Sequence, residues 1–296
     1  MRRGYLLLCF GILLLLPQAL IAGETPVYLI GAGDIAACSS PGDEATARLI
    51  EGLIDLKRDA VFTAGDNAYP EGSPEDFEKC YGPSWGRFKT ITRPALGNHD
   101  YATRGAEGYY QYFGEAARPE GFSFYAFEHG EWLILILNSS IDGRMGESIQ
   151  GKWLQETLEA SPHRCAMAIW HHPLHASTTT QPYRDRPRDV GDLWRVLYQY
   201  GVEVVINGHV HAYERFAPQN PDGELDPKRG IRQFIVGTGG APLNKPPEKR
   251  AAHREVFDSS TWGVIRFELR PDSYAWEFFP VEGGTFHDSG EAKCVK

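Results

Sequence analysis

The sequence predicts an α/β protein in which two β-sheets pack as a sandwich with helices on the outside. Three observations indicate this architecture. Strand-like and helix-like segments alternate early in the chain, and hairpin signals follow them. Polar side chains stand directly after several of the apolar runs. These positions correspond to the carboxyl ends of the predicted strands, and α/β folds bind their ligands at that edge of the sheet.

The first half of the chain alternates strands with helices. Residues 27–33 are apolar and rich in strand-forming types, whereas Ala45, Leu49 and Leu53 recur at helical spacing. The predicted elements are, in order, a strand at 27–33, a helix at 44–56, a strand at 60–64, a helix near 75–81, a strand at 94–96 and a short aromatic helix at 108–113.

The second half is richer in strands. His129-Gly130 separates two strand-like runs and predicts a hairpin, and Arg270-Pro271-Asp272 marks a second one. The predicted elements are a hairpin at 122–138, a helix at 148–160, a strand at 165–170, a helix at 190–200, strands at 202–206 and 231–236, and a strand-rich stretch at 262–279. Residues 244–254 are rich in proline and charge and predict a mobile loop.

The N-terminus is typical of a secretory signal peptide. Basic residues precede a short leucine-rich run at 5–16, and the small residues Ala22-Gly23 follow. We expect a signal peptide at 1–23, a catalytic domain at 24–296 and a secreted or periplasmic protein. A retained amphipathic anchor is the alternative. Removing Arg2 and Arg3 with the leader changes the net charge from −9 to −11. Such an acidic protein has no general attraction for nucleic acid or anionic membranes.

Four cysteines remain after residue 23, an even number that suits an oxidising compartment. They allow three pairings. We favour Cys38–Cys80 with Cys165–Cys294, because the first pair would fix two loops that follow ligand-bearing strands. One disulfide with two buried thiols is the alternative.

Five short motifs end strand-like runs with residue types that bind metals. They are GDIA with Asp34, GDNAY with Asp66 and Tyr69, GNHD with Asn98 and His99, WHHP with His171 and His172, and GHVH with His209 and His211. The first three motifs are separated by 32 residues each, close to the length of one βαβ unit. A glycine precedes four of these ligand positions and allows a sharp turn.

Carboxylate, amide and imidazole groups together suit first-row metal ions. A pair of such ions can stabilise both the attacking and the leaving oxygen of a phosphoryl displacement, and one carboxylate must then bridge them. The alternative is that Gly-Asp and Gly-Asn are ordinary turn residues. That explanation is adequate for any one motif, but not for five in this order.

The five motifs resemble the metallophosphoesterase superfamily, and specifically its purple acid phosphatase branch. The resemblance covers about 27–216. In the wider superfamily the first motif is D-x-H, but here Ile35 and Ala36 follow Asp34. Purple acid phosphatases replace the missing histidine with a tyrosine in G-D-x-x-Y, and Tyr69 holds that position. The resemblance implies a four-layer α/β/β/α sandwich of two mixed sheets flanked by helices.

The resemblance also implies the metal ligands. Fe(III) would be held by Asp34, Asp66, Tyr69 and His211, and a divalent ion (Fe, Zn or Mn) by Asp66, Asn98, His171 and His209. The family pattern H-x-P selects His171 over His172. His99 matches a histidine that contacts phosphate and helps to protonate the leaving group. Asp100, where the family usually has Glu, is expected to pair with His99 in catalysis. The threonines at 178–180 replace the substrate histidines of plant members, for which His175 is a weak substitute.

The implied function is hydrolysis of small phosphate monoesters, with activity at acidic pH. A phosphodiesterase of the same superfamily is the first alternative. A secreted metal-binding protein without catalysis is the second, although His99 argues against it. The stretch 31–36 also fits the dinucleotide fingerprint G-x-G-x-x-[GA], but Asp34 would then face a pyrophosphate. The oligomeric state, the natural substrate and the divalent metal are not predicted.

Overall fold

The computed structural model describes residues 26–141, 147–177 and 190–295. The predicted signal peptide at 1–23 therefore lies entirely outside the described residues, as does the threonine run at 178–180. Among the described residues, the strands are β1 Val27–Ala32, β2 Ala36–Ala37, β3 Ala60–Ala64, β4 Ala68–Tyr69, β5 Thr92–Ala95, β6 Tyr125–His129, β7 Trp132–Ile136, β8 Cys165–Ile169, β9 Val204–Asn207, β10 Tyr213–Phe216, β11 Arg232–Val236, β12 Arg254–Asp258, β13 Gly263–Arg270, β14 Ser273–Pro280 and β15 Ser289–Lys293.

The helices lie between these strands. The α-helices are α1 Gly42–Leu53, α2 Pro74–Asp76, α3 Glu107–Phe113, α4 Ile149–Ala160 and α5 Val190–Gln199. Shorter turns of π-helix (Phe77–Tyr81) and 3₁₀-helix (Trp85–Ile91, Arg104–Ala106 and Gly114–Ala117) complete the set. Within the described part of the chain, no helix is both long and apolar enough to span a bilayer.

Two mixed sheets form the centre of the molecule. The first has the order β15-β14-β13-β1-β3-β5, in which β1, β3 and β5 run parallel and β13 is antiparallel to β1. The second has the order β12-β10-β11-β9-β8-β7-β6, with β7, β8, β9 and β11 parallel. A small sheet of β2 and β4 lies beside them. The predicted two-sheet sandwich is confirmed.

The second sheet is buried on both faces. Alternate residues of its strands belong to two different apolar clusters, as the two-residue period of a strand requires. Ile134 and Met167 pack into the cluster shared with the first sheet, whereas Leu133 and Ala166 pack against α4 and α5. On the other side of the molecule, α1 packs against β13. The result is the expected order of helix, sheet, sheet and helix.

Most predicted elements are present, and five strands were missed. The hairpin predicted at 122–138 forms between β6 and β7, and the stretch 262–279 forms β13 and β14. The missed strands are the two-residue strands β2 and β4 and the longer strands β10, β12 and β15. Residues 244–253 contain no helix or strand, and their mobility stays a prediction. Both favoured disulfides are present, with Cα–Cα distances of 5.0 Å for Cys38–Cys80 and 5.6 Å for Cys165–Cys294.

Candidate metal centre

The seven predicted ligands meet at the carboxyl ends of the parallel strands. Asp34 follows β1, Asp66 follows β3 and Asn98 follows β5, so the first sheet supplies three of them. His171 and His209 follow β8 and β9 of the second sheet. The remaining two ligands are Tyr69, at the end of β4, and His211, shortly before β10. The site therefore lies where the carboxyl edges of the two sheets meet.

Three of the other side chains converge on the phenol oxygen of Tyr69. Its Oη lies 3.0 Å from Asp34 Oδ1, 3.1 Å from Asp66 Oδ2 and 3.1 Å from His211 Nε2. His211 Nε2 is also 3.3 Å from Asp34 Oδ1. These four atoms enclose one point, which we call position 1.

A second group converges around Asn98. Its Oδ1 lies 3.0 Å from His171 Nε2 and 2.9 Å from His209 Nδ1, and these two nitrogens are 3.2 Å apart. His171 Nε2 is 3.2 Å from Asp66 Oδ2. These four atoms enclose position 2. Asp66 Oδ2 belongs to both groups, as a bridging carboxylate requires.

The spacing of the donor atoms fits two bound metal ions. Ligands about 2.1 Å from an ion and at right angles to each other are about 3.0 Å apart. The distances within the two groups run from 2.9 to 3.3 Å. The donors also match the expected metals, because hard oxygen donors dominate position 1 and imidazoles are more numerous at position 2.

The backbone is strained at three of the ligands. Asp34, Asp66 and His209 have φ values of 58°, 50° and 69°, although none is a glycine. Such strain persists where surrounding contacts fix it, and it is common at functional sites. The backbone N–H of His209 donates to Asp34 Oδ2 at 2.8 Å, which leaves Oδ1 for position 1.

The glycines before the ligands serve mainly to provide space, which corrects the expectation that they supply the turn. A Cβ on Gly97 would lie 2.2 Å from Asp66 Oδ1, and one on Gly208 would lie 2.6 Å from Asp34 Oδ2. Any side chain at these positions would therefore displace a carboxylate. Of the four preceding glycines, only Gly65 has a positive φ.

Backbone carbonyl groups orient the imidazoles. His171 Nδ1 lies 2.9 Å from Ala64 O, and His211 Nδ1 lies 2.8 Å from Pro242 O. A carbonyl oxygen only accepts, so each Nδ1 must carry the proton, and each Nε2 presents its lone pair to the site. Sequence patterns do not reveal these partners, because any residue can supply a carbonyl group.

The site concentrates negative charge at both positions. Burial opposes protonation of His171, but Asp66 and Asp34 outweigh it and raise the pKa of His171 to about 9. The pKa of His211 is likewise raised to about 9, since the same carboxylates outweigh burial. Burial and both carboxylates raise the pKa of Tyr69 well above its ordinary value. A phenolate there requires a compensating cation, so this electrostatic environment suits metal binding.

His99 and Asp100 do not pair, contrary to the prediction. His99 Nδ1 lies 2.6 Å from Pro70 O, and its ring packs against that of Tyr69 with centroids 4.5 Å apart. Asp100 is buried and accepts hydrogen bonds from the backbone N–H groups of Gly97 and Asn67 and from the Asn67 side chain. Asp100 therefore fixes the loop that carries Asn98 and His99. Asn67, which follows Asp66 in the GDNAY motif, was not predicted.

The structure separates the two histidines of the WHHP motif. His171 faces Asp66 and Asn98, whereas His172 Nδ1 lies 2.8 Å from Ser139 Oγ. The ring of His172 is buried and packs against His209 with centroids 4.6 Å apart. His172 thus supports His209 from behind, a contact that the sequence does not predict. His175 packs against Trp194 instead of the site, at a centroid distance of 5.3 Å.

The dinucleotide-binding alternative does not fit this geometry. That motif requires a helix to begin within the glycine-rich turn, but α1 begins only at Gly42. The carboxylate of Asp34 lies among the site donors instead.

Comparison with known proteins identifies the family. The sequence matches the calcineurin-like phosphoesterase family over residues 18–213, which is well over half of the chain. The chain belongs to this family. The match includes all seven site donors and ends at Tyr213, the first residue of β10.

Known members of the family include purple acid phosphatases. Purple acid phosphatase 15 of Arabidopsis thaliana is 29% identical over 229 residues, which are 66% of this chain and 42% of that protein. A protein named probable cyclic nucleotide phosphodiesterase, from Psychrobacter sp. (strain PRwf-1), is 28% identical over 155 residues, 49% of this chain and 44% of that protein. The chain thus spans less than half the length of these relatives.

A solved structure of the same group confirms the fold. Purple acid phosphatase PPD1 from yellow lupin (Lupinus luteus) seeds superposes with a TM-score of 0.71 at 19% sequence identity. The superposition covers 90% of this chain and 53% of that one. The resemblance to purple acid phosphatases that Tyr69 indicates is therefore also found by comparison, as is the metallophosphoesterase fold.

Proposed function

We propose that the protein is a binuclear metal-dependent phosphatase that hydrolyses phosphate monoesters. One observation carries this proposal: two groups of four donor atoms share Asp66 Oδ2 at the meeting edge of the two sheets. Membership in a phosphoesterase family supports the proposal. A site in which one carboxylate bridges two metal ions is suited to phosphoryl transfer.

Position 1 is proposed to hold Fe(III), since Tyr69 supplies a phenol oxygen beside two carboxylates. Position 2, with Asn98, His171 and His209, is proposed to hold a divalent Fe, Zn or Mn ion. When bound, the two ions supply Lewis acidity and an activated water for in-line displacement at phosphorus.

His99 is proposed to protonate the leaving group. Its backbone N–H donates to Asp66 Oδ1 at 2.8 Å, and this contact fixes the residue beside the site. Because Nδ1 faces Pro70 O, the ring presents Nε2 as the nitrogen for substrate. A positioned imidazole can transfer a proton to a departing alkoxide at physiological pH. Asp100 has no role in this step.

Secretion of a catalytic domain at 24–296 remains part of the proposal. Two disulfides support an oxidising compartment, because such bonds are rare in reducing cytosol. The phosphodiesterase alternative is supported by the Psychrobacter relative. A metal-binding protein without catalysis is not favoured, because His99 stands beside both positions without being needed for either group of donors.

Turnover of chromogenic esters by the purified protein tests the proposal. Metal-loaded protein should hydrolyse 4-nitrophenyl phosphate faster than bis(4-nitrophenyl) phosphate, and chelation should abolish both activities. The matched control is Asn98→Ala, which removes one donor of position 2 and should lose the divalent ion. Faster hydrolysis of the diester would select the phosphodiesterase alternative. Stoichiometric metal binding without turnover would select the non-catalytic one.

A further inference from the structure

A basic segment is anchored beside the metal centre. Residues 244–254, here called the basic loop, contain four lysines and arginines and one acid, in a chain of net charge −9. The loop follows Pro242, whose carbonyl oxygen lies 2.8 Å from His211 Nδ1. The backbone N–H of Asn244 donates to the carbonyl oxygen of His211 at 2.9 Å. The first residues of the loop are thereby held against a donor of position 1.

The far end of the loop is anchored separately. Arg254 Nη1 donates to Ser177 Oγ at 2.7 Å, and the backbone N–H of Ala251 donates to the same oxygen at 3.2 Å. Ser177 Oγ in turn donates to the buried carboxylate of Glu214 at 2.7 Å. Both ends of the loop are thus tied to segments that carry or adjoin the site histidines.

The charges between these anchors are open to solvent. Arg254 Nη1 lies 3.9 Å from Glu214 Oε2, so the buried carboxylate balances the charge of Arg254. Lys245, Lys249 and Arg250 are exposed, and neither lysine forms an ion pair with a described residue. Glu248 offsets only one of the three cations. Screening weakens charge interactions beyond a Debye length of about 8 Å, so cations on a loop anchored to a site donor should influence the site more than distant surface charges do.

We propose that the basic loop, and Lys245 above all, selects phosphate esters that carry a second anionic group beyond the scissile phosphate. A nucleoside triphosphate is an example of this class. The inference rests on the proposed function and specifies its substrate. The metal centre binds the scissile phosphate of any ester, so it cannot distinguish these substrates by itself. Lys245 adjoins Asn244, whose backbone N–H donates to the carbonyl oxygen of His211, so it is the loop cation nearest in sequence to this anchor.

Steady-state kinetics with two substrates test the proposal. ATP carries additional anionic groups, whereas 4-nitrophenyl phosphate carries none. Lys245→Gln should raise the KM for ATP by about two- to fivefold, the range expected for one exposed charge pair. Its kcat for ATP and its KM for 4-nitrophenyl phosphate should not change. Lys245→Glu should raise the KM for ATP further, and added salt should raise the wild-type KM for ATP more than that of either variant.

Lys57→Gln is the matched control, because Lys57 is exposed and precedes β3 at the opposite edge of the sheet. It removes the same charge and should leave both KM values unchanged. If Lys245→Gln and Lys57→Gln behave alike, or if the wild type hydrolyses 4-nitrophenyl phosphate but not ATP, the proposal is overturned.

A binding measurement separates failure of this inference from failure of the proposed function. If metal-loaded protein turns over neither substrate, the proposed function is wrong. Calorimetric titration with a non-hydrolysable ATP analogue then still tests the loop. Tighter binding by wild type than by Lys245→Glu supports the inference, whereas equal binding or no binding overturns it.

Discussion

At the scale of single residues, Tyr69 distinguishes this site from those of the wider superfamily. Ala36 stands where a histidine would bind the first metal, so position 1 lacks a donor unless Tyr69 supplies one. A phenolate bound to Fe(III) gives a visible charge-transfer band. Iron-loaded, oxidised protein should therefore be purple or pink, and Tyr69→Phe should lose the band while keeping its fold. Absorption spectra with circular dichroism check this. A colourless wild type, or an unchanged band in the variant, would mean that Tyr69 only packs.

The two histidines of the WHHP motif should differ in their effect on metal content. His171→Ala removes a nitrogen that lies 3.0 Å from Asn98 Oδ1, so position 2 should lose its ion and activity should vanish. His172→Ala removes only the support behind His209 and should retain both ions at somewhat lower affinity. Elemental analysis after dialysis measures this directly. Equal metal loss in the two variants would contradict the choice of His171.

His99 should affect turnover without affecting metal binding. His99→Ala should retain both ions yet lose about 10²–10⁴-fold in kcat, the usual contribution of a positioned acid–base group. The loss should be smaller for esters with good leaving groups, which need no protonation. His287→Ala, an exposed histidine far along the sequence, is the control. If the His99 variant is isolated without metal, the proposed role is wrong.

At the scale of secondary-structure elements, the sequence predicts those in which buried residues recur at the period of a strand or a helix. The seven parallel strands of the two sheets all lie within or overlap segments that the sequence predicts as strands. The strand β15 was missed because its sequence, Ser-Gly-Glu-Ala-Lys, has no apolar run; it exists by pairing with β14 at a sheet edge. The strand β10 was missed because Glu214 and Arg215 are charged, and their burial depends on partners distant in sequence.

The sequence likewise predicts part of the candidate site and misses the rest. Its donors have chemical signatures, and all seven converge. Asp100 was misassigned because adjacent residues in a turn can point in different directions, and its carboxylate reaches the backbone of Gly97 instead of the His99 ring. The carbonyl groups that orient His171 and His211 have no sequence signature at all.

Asp288 gives an element-scale prediction, because its carboxylate links the two sheets. It accepts hydrogen bonds from Tyr213 and Arg215 on β10 and from Trp276 on β14. Burial raises the pKa of Asp288, but Arg215 and Tyr213 outweigh burial and hold it below its ordinary value. Asp288→Asn should lower the free energy of unfolding by about 2–3 kcal/mol at neutral pH.

The pH dependence of the stability loss in Asp288→Asn follows from the direction in which folding shifts the pKa of Asp288. A carboxyl group whose pKa is lowered by folding stabilises the protein above its unfolded pKa of about 4. That stabilisation is lost as the pH falls through the folded pKa. Wild type and Asp288→Asn should thus converge in stability in acid, as the pH falls from about 4 through the lowered folded pKa of Asp288. Denaturant titrations at both pH values measure this, with the exposed Asp272→Asn as control. A difference that persists undiminished in acid would contradict the assignment.

At the scale of the whole molecule, the two disulfides restrain different parts of the fold. Cys165 begins β8 of the second sheet and Cys294 follows β15 of the first, so this bond joins the sheets across 129 residues of sequence. Cys38 follows β2 and Cys80 lies in a π-helical turn, and their bond closes 42 residues. Since β2 pairs with β4, which carries Tyr69, the shorter bond restrains the strand pair beside this proposed ligand.

Removal of one disulfide should therefore mainly lower stability, whereas removal of the other should mainly lower metal affinity. If the bonds act by restricting the unfolded chain, the Cys165→Ala/Cys294→Ala pair should cost about 1 kcal/mol more unfolding free energy than the Cys38→Ala/Cys80→Ala pair. Metal affinity should show the opposite order, because only the second pair loosens the segment beside Tyr69. Denaturant unfolding of metal-free protein measures the first effect, and competition with a chelator measures the second. Equal metal affinity in the two double variants would show that the Cys38–Cys80 bond supports the fold alone.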